Sequence, residues 1–177
     1  MPATKEIMIN SKKHGTVTVL LDEEDWDKVK DYKWHISSRG YVRTTIMDPR
    51  GRTLIRNGYV CAKSANLFMH RLILNTPKDL QTDHINGNKA DNRKSNLRAC
   101  TNAQNGQNKK PYKCKSGYKG VSPVPNSKRN PWKASIRVEG KKIHIGVFTT
   151  AEKAARAYDK RATKEWGEFA YLNFPEE

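Results

Sequence analysis

A chain of 177 residues has room for two small domains or one of ordinary size, and a hydrophobic content of 36% is low for a single large core. With 34 Lys and Arg against 18 Asp and Glu the formal charge is +16, which points to a polyanionic partner. Three cysteines without CxxC spacing argue against a disulfide framework or structural zinc, and no apolar run approaches the ~18 residues of a spanning helix, so a soluble cytoplasmic protein away from membranes is expected.

Residues 5–21 read as two strands around a Lys-Lys-His-Gly turn, because Val17, Val19 and Leu21 alternate along the second. Asp22 is placed to cap a short helix running to about Tyr32, with Trp26 and Val29 on its packed face. Trp34–Met47 and Arg52–Lys63 then read as paired strands around Asp48-Pro49-Arg50-Gly51. That ribbon carries six basic residues against Asp48 alone, so Arg43 and Arg52 are candidate DNA contacts, the alternative being a solvated hairpin. Ala65–Leu74 reads as a helix ended ahead of Pro77, with Leu67, Phe68, Leu72 and Ile73 available for packing and His70 and Arg71 beside them.

The next stretch carries the chemistry. Leu80–His84 and Asn96–Cys100 read as short strands, with Asn86-Gly87 reversing the chain after the first. Thr101 followed by Gln104 is a capping box, so a helix begins there and holds Asn105 in its early turns. The order strand, loop, strand, helix can bring Asp83, His84 and Asn105 around one point. Asp83 and Asn105 offer hard oxygens suited to Mg²⁺ or Mn²⁺, and His84 is the nearby side chain able to take a proton from water near neutral pH.

This stretch resembles the HNH endonucleases, the ββα-metal nucleases, and in particular their phage and intron-encoded homing branch, where the first motif position is Asp-His and the last ligand Asn. The resemblance covers roughly Ala65–Lys109 and includes MHRLIL at Met69–Leu74. It implies that Asp83 and Asn105 hold one divalent cation, Mg²⁺ ahead of Mn²⁺, and that His84 is the general base. It implies too that Asn96 braces the loop and orients His84, while Arg71 and His70 stand near the DNA backbone, Arg71 as a phosphate clamp.

Residues 110–117 are polar, basic and broken by Gly and Pro, and are read as a linker. Beyond it come a strand near Gly117–Ser122, a hairpin over Trp132–Phe148 turning at Glu139-Gly140, and a helix over about 150–166 capped by Thr149 with Glu152. Alternation puts Ala134, Ile136, Val138, Ile143, Ile145 and Val147 on one face, and Lys133, Ser135, Arg137, Lys142 and His144 on the other. Ala151, Ala154, Ala155, Tyr158 and Ala162 let the helix approach the apolar face closely, which leaves the basic face for DNA.

The unit is similar to the Apetala/ethylene-response-factor DNA-binding domain, on YKGV at Tyr118–Val121, WKASIR at Trp132–Arg137, HIGVF at His144–Phe148, AARAYD at Ala154–Asp159 and LNFP at Leu172–Pro175. That likeness implies that Lys119, Arg137 and His144 contact DNA. Ser122 and Val124 stand where the plant proteins carry arginines, and His144 replaces a tryptophan, so the plant target sequence does not carry over.

The expected architecture is α+β: a strand and helix region with a basic hairpin over 1–64, a nuclease core with a ββα-metal HNH motif over 65–109, the linker, and over 118–175 a three-stranded antiparallel sheet packed on one helix. The expected function is a metal-dependent DNA endonuclease acting on double-stranded DNA as a monomer or homodimer in a bacterial or phage-infected cell. The alternative is a non-catalytic DNA-binding transcriptional regulator.

Overall fold

The alternating valines and Leu21 form the inner strand of an N-terminal hairpin, β1 (Thr4–Ser11) with β2 (Gly15–Asp22), paired antiparallel so that Ile9 opposes Val17 and Ile7 opposes Val19. The computed structural model describes residues 3–47, 53–56, 59–62, 64–111 and 114–175, with 53–56 and 59–62 described through the backbone. The chain is a mixed α and β protein that divides into two units, Met1–Thr101 and Asn102–Glu177. The division falls before the third helix, ahead of the expected linker.

In the first unit a 3-10 turn at Glu23–Asp25 leads into the one-turn helix α1 (Trp26–Val29). Asp22 makes no capping bond; its Oδ2 accepts the Lys94 amide at 2.8 Å instead, a long-range role that local pattern does not encode. A strand of two residues, β3 (His35–Ile36), pairs with β4 (Val42–Met47).

The expected ribbon is not formed. β5 (Thr53–Arg56) pairs with β6 (Tyr59–Ala62) in a hairpin of its own, while β4 pairs with β7 (Ser64–Phe68). The turn signal at Asp48–Gly51 lies outside the described residues. Ala65–Phe68 is therefore strand, and the helix α2 spans only Met69–Leu74. The physical reason is pairing: backbone bonds to β4 at Arg43–Ile46 outweigh the helical spacing of Leu67 and Phe68.

α2 ends at Asn75, which takes the left-handed conformation (φ 49°) open to asparagine. β8 (Gln81–His84) and β9 (Leu97–Cys100) pair antiparallel, and the α3 helix (Asn102–Gln107) follows. Val19, Leu21, Val29, Val42, Met69, Ile73 and Leu97 form the core, so hairpin, α1, α2 and β9 share one apolar centre.

The second unit holds a three-stranded antiparallel sheet, β10 (Val121–Pro123), β11 (Trp132–Val138) and β12 (Lys141–Phe148), with the helix α4 (Ala151–Trp166) packed against it. The helix is capped by Thr150, whose Oγ1 accepts the Lys153 amide at 3.2 Å, one residue later than the sequence suggests. Ala151, Ala154, Ala155, Tyr158 and Ala162 are all buried. Tyr158 comes so close to the strand that a Cβ on Gly120 would lie 2.0 Å from its ring. Asp159, also buried, accepts the amides of Asn173 and Phe174 at 2.9–3.0 Å and so ties down the segment after α4.

One face assignment is corrected. The pairing of β11 with β12 shifts between Ala134 and Ser135, so Ala134 opposes Gly146 while Ser135 opposes His144. An extra residue in one strand reverses the alternation beyond it. Val147 is consequently 45% exposed, and Phe148 packs into the core in its place.

Candidate active site and nucleic-acid face

Asp83 and His84 are consecutive residues at the end of β8, yet both are buried, because the strand enters a loop that folds back over it. Asp83 stands opposite Arg98 of β9, whose Nε and Nη2 donate to Asp83 Oδ2 at 3.0 and 2.8 Å. The guanidinium offsets the carboxylate charge in a place with little water.

His84 Nε2 lies 3.4 Å from Asn92 Oδ1, and its ring meets those of His70 and Tyr41 at 5.0 and 6.2 Å between centroids. Burial lowers the imidazole pKa, against the opposing pull of Asn92, Asp83 and Asp91. A lowered pKa keeps the ring neutral, the form that accepts a proton, at neutral pH.

The loop over residues 85–96 is ordered by its own amides. Asn96 Oδ1 accepts the Asn86 N–H at 3.0 Å, and Asn96 Nδ2 donates to the Asp91 carbonyl at 2.8 Å. Gly87, at φ 73°, closes the reversal by donating its N–H to the His84 carbonyl at 2.9 Å. The N-terminal hairpin holds the loop from outside: Leu20 N donates to Ala90 O at 2.9 Å, and Asn92 N donates to Leu20 O at 2.7 Å. Lys94 adds an ion pair with Asp25 at 3.2 Å.

His70 and Arg71, which the resemblance sets near the DNA backbone, are buried and half-buried respectively. His70 is 6% exposed, sits between Tyr41, Phe68 and His84, and has no hydrogen-bond partner at Nδ1 among the described residues. Burial first, and then the positive partners His84 and Arg71, push its pKa down to about 3. Arg71 donates to the carbonyls of Leu80 (2.9 Å), Thr76 (3.2 Å) and Pro77 (2.9 Å). These three bonds tie its guanidinium to the chain around the end of α2, with two of its five donors outside them.

Asn105 lies on α3, in the second unit. Among the described residues no three His, Cys, Asp or Glu side chains gather into a metal cage. Asp83 with a carboxamide supplies hard oxygens, and this donor chemistry suits Mg²⁺ or Mn²⁺.

In the second unit the register sets Arg137 opposite Lys142, Ser135 opposite His144, and Lys133 opposite Val147. Directly opposed residues share a face, so the five predicted DNA contacts of this sheet lie together, and Val147 joins them. Arg137, Lys142 and His144 are exposed, and Lys133 and Ser135 half-buried. Lys119 does not join them: its ammonium donates to the Gln107 carbonyl and lies over the Tyr171 ring, and burial pushes its pKa down to about 8. In the first unit Arg43 bonds Asn66 of the neighbouring strand, and Arg52 lies outside the described residues.

Residues 75–107 match the HNH endonuclease family. A protein of Acanthamoeba polyphaga mimivirus described as an uncharacterized HNH endonuclease is 32% identical over 157 residues, 88% of this chain and 73% of that one. The chain belongs to the HNH endonuclease family. Over its C-terminal part this HNH family member is also similar to plant proteins. An AP2-like ethylene-responsive transcription factor of Arabidopsis thaliana is 40% identical over 47 residues, 27% of this chain and 16% of that one. An AP2/ERF and B3 domain-containing protein of Oryza sativa subsp. japonica is 43% identical over 60 residues, 34% and 16% of the two chains. No solved structure matches.

Two residues of this HNH motif carry no mark in the sequence. Arg98 becomes visible only through the register of β8 with β9, which a long loop leaves undetermined. Asn92 is one of several asparagines in a polar loop, and only folding singles it out as the fully buried one beside His84.

Proposed function

We propose that the protein is a metal-dependent DNA endonuclease of the homing branch that hydrolyses phosphodiester bonds in duplex DNA. In this reading His84 is the general base, one Mg²⁺ or Mn²⁺ is held by Asp83 and Asn105, and the exposed sheet face of the second unit selects the site. The observation that supports it most is a buried imidazole, its pKa lowered by that burial, adjacent in sequence to a buried carboxylate. Asn105's place as second ligand rests on its spacing from Asn96 in the family motif.

The contact with Asn92 Oδ1 orients the imidazole, which takes the proton of the attacking water. When bound, the cation supplies Lewis-acid stabilisation of charge developing on the phosphate and the leaving 3′ oxygen. Asn96 fixes the loop that follows the base, and His70 walls the imidazole on its edge. One site per chain cuts one strand, so a monomer nicks and a homodimer cuts both.

The test is nicking of supercoiled plasmid with Mg²⁺ or Mn²⁺ and with chelator. His84→Ala should lose nicking by at least about 10²-fold while binding duplex DNA like the wild type. Nicking that survives in His84→Ala and in Asp83→Ala would overturn the reading, and so would absence of nicking in the wild type.

A further inference from the structure

Three of Arg71's five donors are bonded to carbonyls of its own chain, which turns attention to the other cations of the first unit that could hold the strand His84 would attack. The first unit has a groove lined by His14, Val17 and Ile36 on one side and Gly87, Asn88 and Lys89 on the other, with no acidic side chain in its lining. Two lysines from different loops converge on the turn between β3 and β4. Lys13 Nζ donates to the Ser38 carbonyl at 3.0 Å, and Lys89 Nζ donates to the Arg39 carbonyl at 2.8 Å. Arg39 itself is exposed.

Lys89 links the groove to the base. Its ammonium lies 4.2 Å from the centre of the Tyr41 ring, and that ring lies 6.2 Å from His84. An ammonium carries three donors. One is on a carbonyl and another faces a ring, an arrangement that fixes the charge in position and leaves a donor for a third partner. Two anchored ammoniums and an exposed guanidinium beside a groove whose lining holds no acidic side chain suit a phosphodiester backbone, which is recognised by charge and independently of sequence.

We infer that this groove is the track for the strand to be cut, with Lys13, Arg39 and Lys89 each holding a backbone phosphate and Lys89 the one next to His84. The inference rests on the nuclease reading for its purpose. Its test does not depend on cleavage.

Binding of a short DNA duplex is followed by fluorescence anisotropy across a range of salt concentrations in the non-cutting His84→Ala protein. Each phosphate contact contributes about 0.9 to the slope of log affinity against log salt, so Lys13→Met, Arg39→Met and Lys89→Met together should flatten that slope by roughly 2.7. A control triple, Lys30→Met, Lys153→Met and Lys160→Met, removes the same charge elsewhere and should leave the slope unchanged. An unchanged slope in the groove triple, or an equal loss in the control, overturns the track. In cutting-competent protein Lys89→Met should slow single-turnover nicking by about 10²-fold, with Lys89→Arg partly restoring it. Failure of the nuclease reading shows separately, as a wild type that binds with the groove-dependent slope and does not nick.

Discussion

His70 and His84 meet at ring centroids 5.0 Å apart, and their burial sets a pH dependence that can be worked out in sign. An unfolded imidazole titrates near 6.5, whereas folded His70 titrates near 3, so below pH 6.5 the unfolded chain binds a proton that the folded one refuses. Its contribution to stability is complete above 6.5 and is lost as pH falls toward 3, at about 1.4 kcal/mol per pH unit. His70→Phe should flatten the decline of the urea midpoint between pH about 6.5 and about 5, and equal pH dependence in both proteins would remove His70 from the account. At Asp83 the neighbouring Arg98 lowers the net charge offered to a cation. Calorimetry without DNA should therefore find Mg²⁺ bound more weakly than about 1 mM, or about 4 kcal/mol. Arg98→Met should tighten Mn²⁺ binding in the same measurement. At this scale the sequence displayed Asp83 and His84 through their adjacency, but it hid Arg98 and Asn92, whose roles depend on strand register and loop folding.

Among the elements, the hairpin over residues 5–21, the β8 and β9 strands and the α4 helix could be read in advance because each carries a clear period and turn residues at its ends. Two features could not. Ala65–Phe68 has helical spacing but is claimed by β4, and the face of Val147 is reversed by a shift in pairing that leaves period-2 alternation intact on either side. Gly120 gives a sharp test of how tightly α4 is seated. It needs φ +77°, and a Cβ there would overlap the Tyr158 ring, whereas Gly140 has a similar φ of +78° with nothing within 4 Å. Gly120→Ala should cost at least about 3 kcal/mol through strain and overpacking, and Gly140→Ala only about 1 kcal/mol. Urea unfolding of the two variants compares them directly, and equal losses would mean that Tyr158 can move aside.

For the whole molecule, the position of α3 matters most. Its last carbonyl, on Gln107, accepts the Tyr171 N–H at 3.2 Å and the Lys119 ammonium, so the helix bearing Asn105 is anchored by residues that follow it. A protein ending at residue 115 lacks both anchors. Such a truncation should nick at least about 10-fold more slowly than the full chain even on non-specific plasmid, and full activity would show that α3 needs neither bond. Among the described residues no helix is long and apolar enough to cross a membrane.

The family motif occupies residues 75–107, but Leu20 bonds its central loop at both Ala90 and Asn92, and Asp22 receives the Lys94 amide. The motif is therefore not a portable cassette. Transplanted into a foreign scaffold without its distant hairpin, it would keep every signature residue and lose the frame that aligns them.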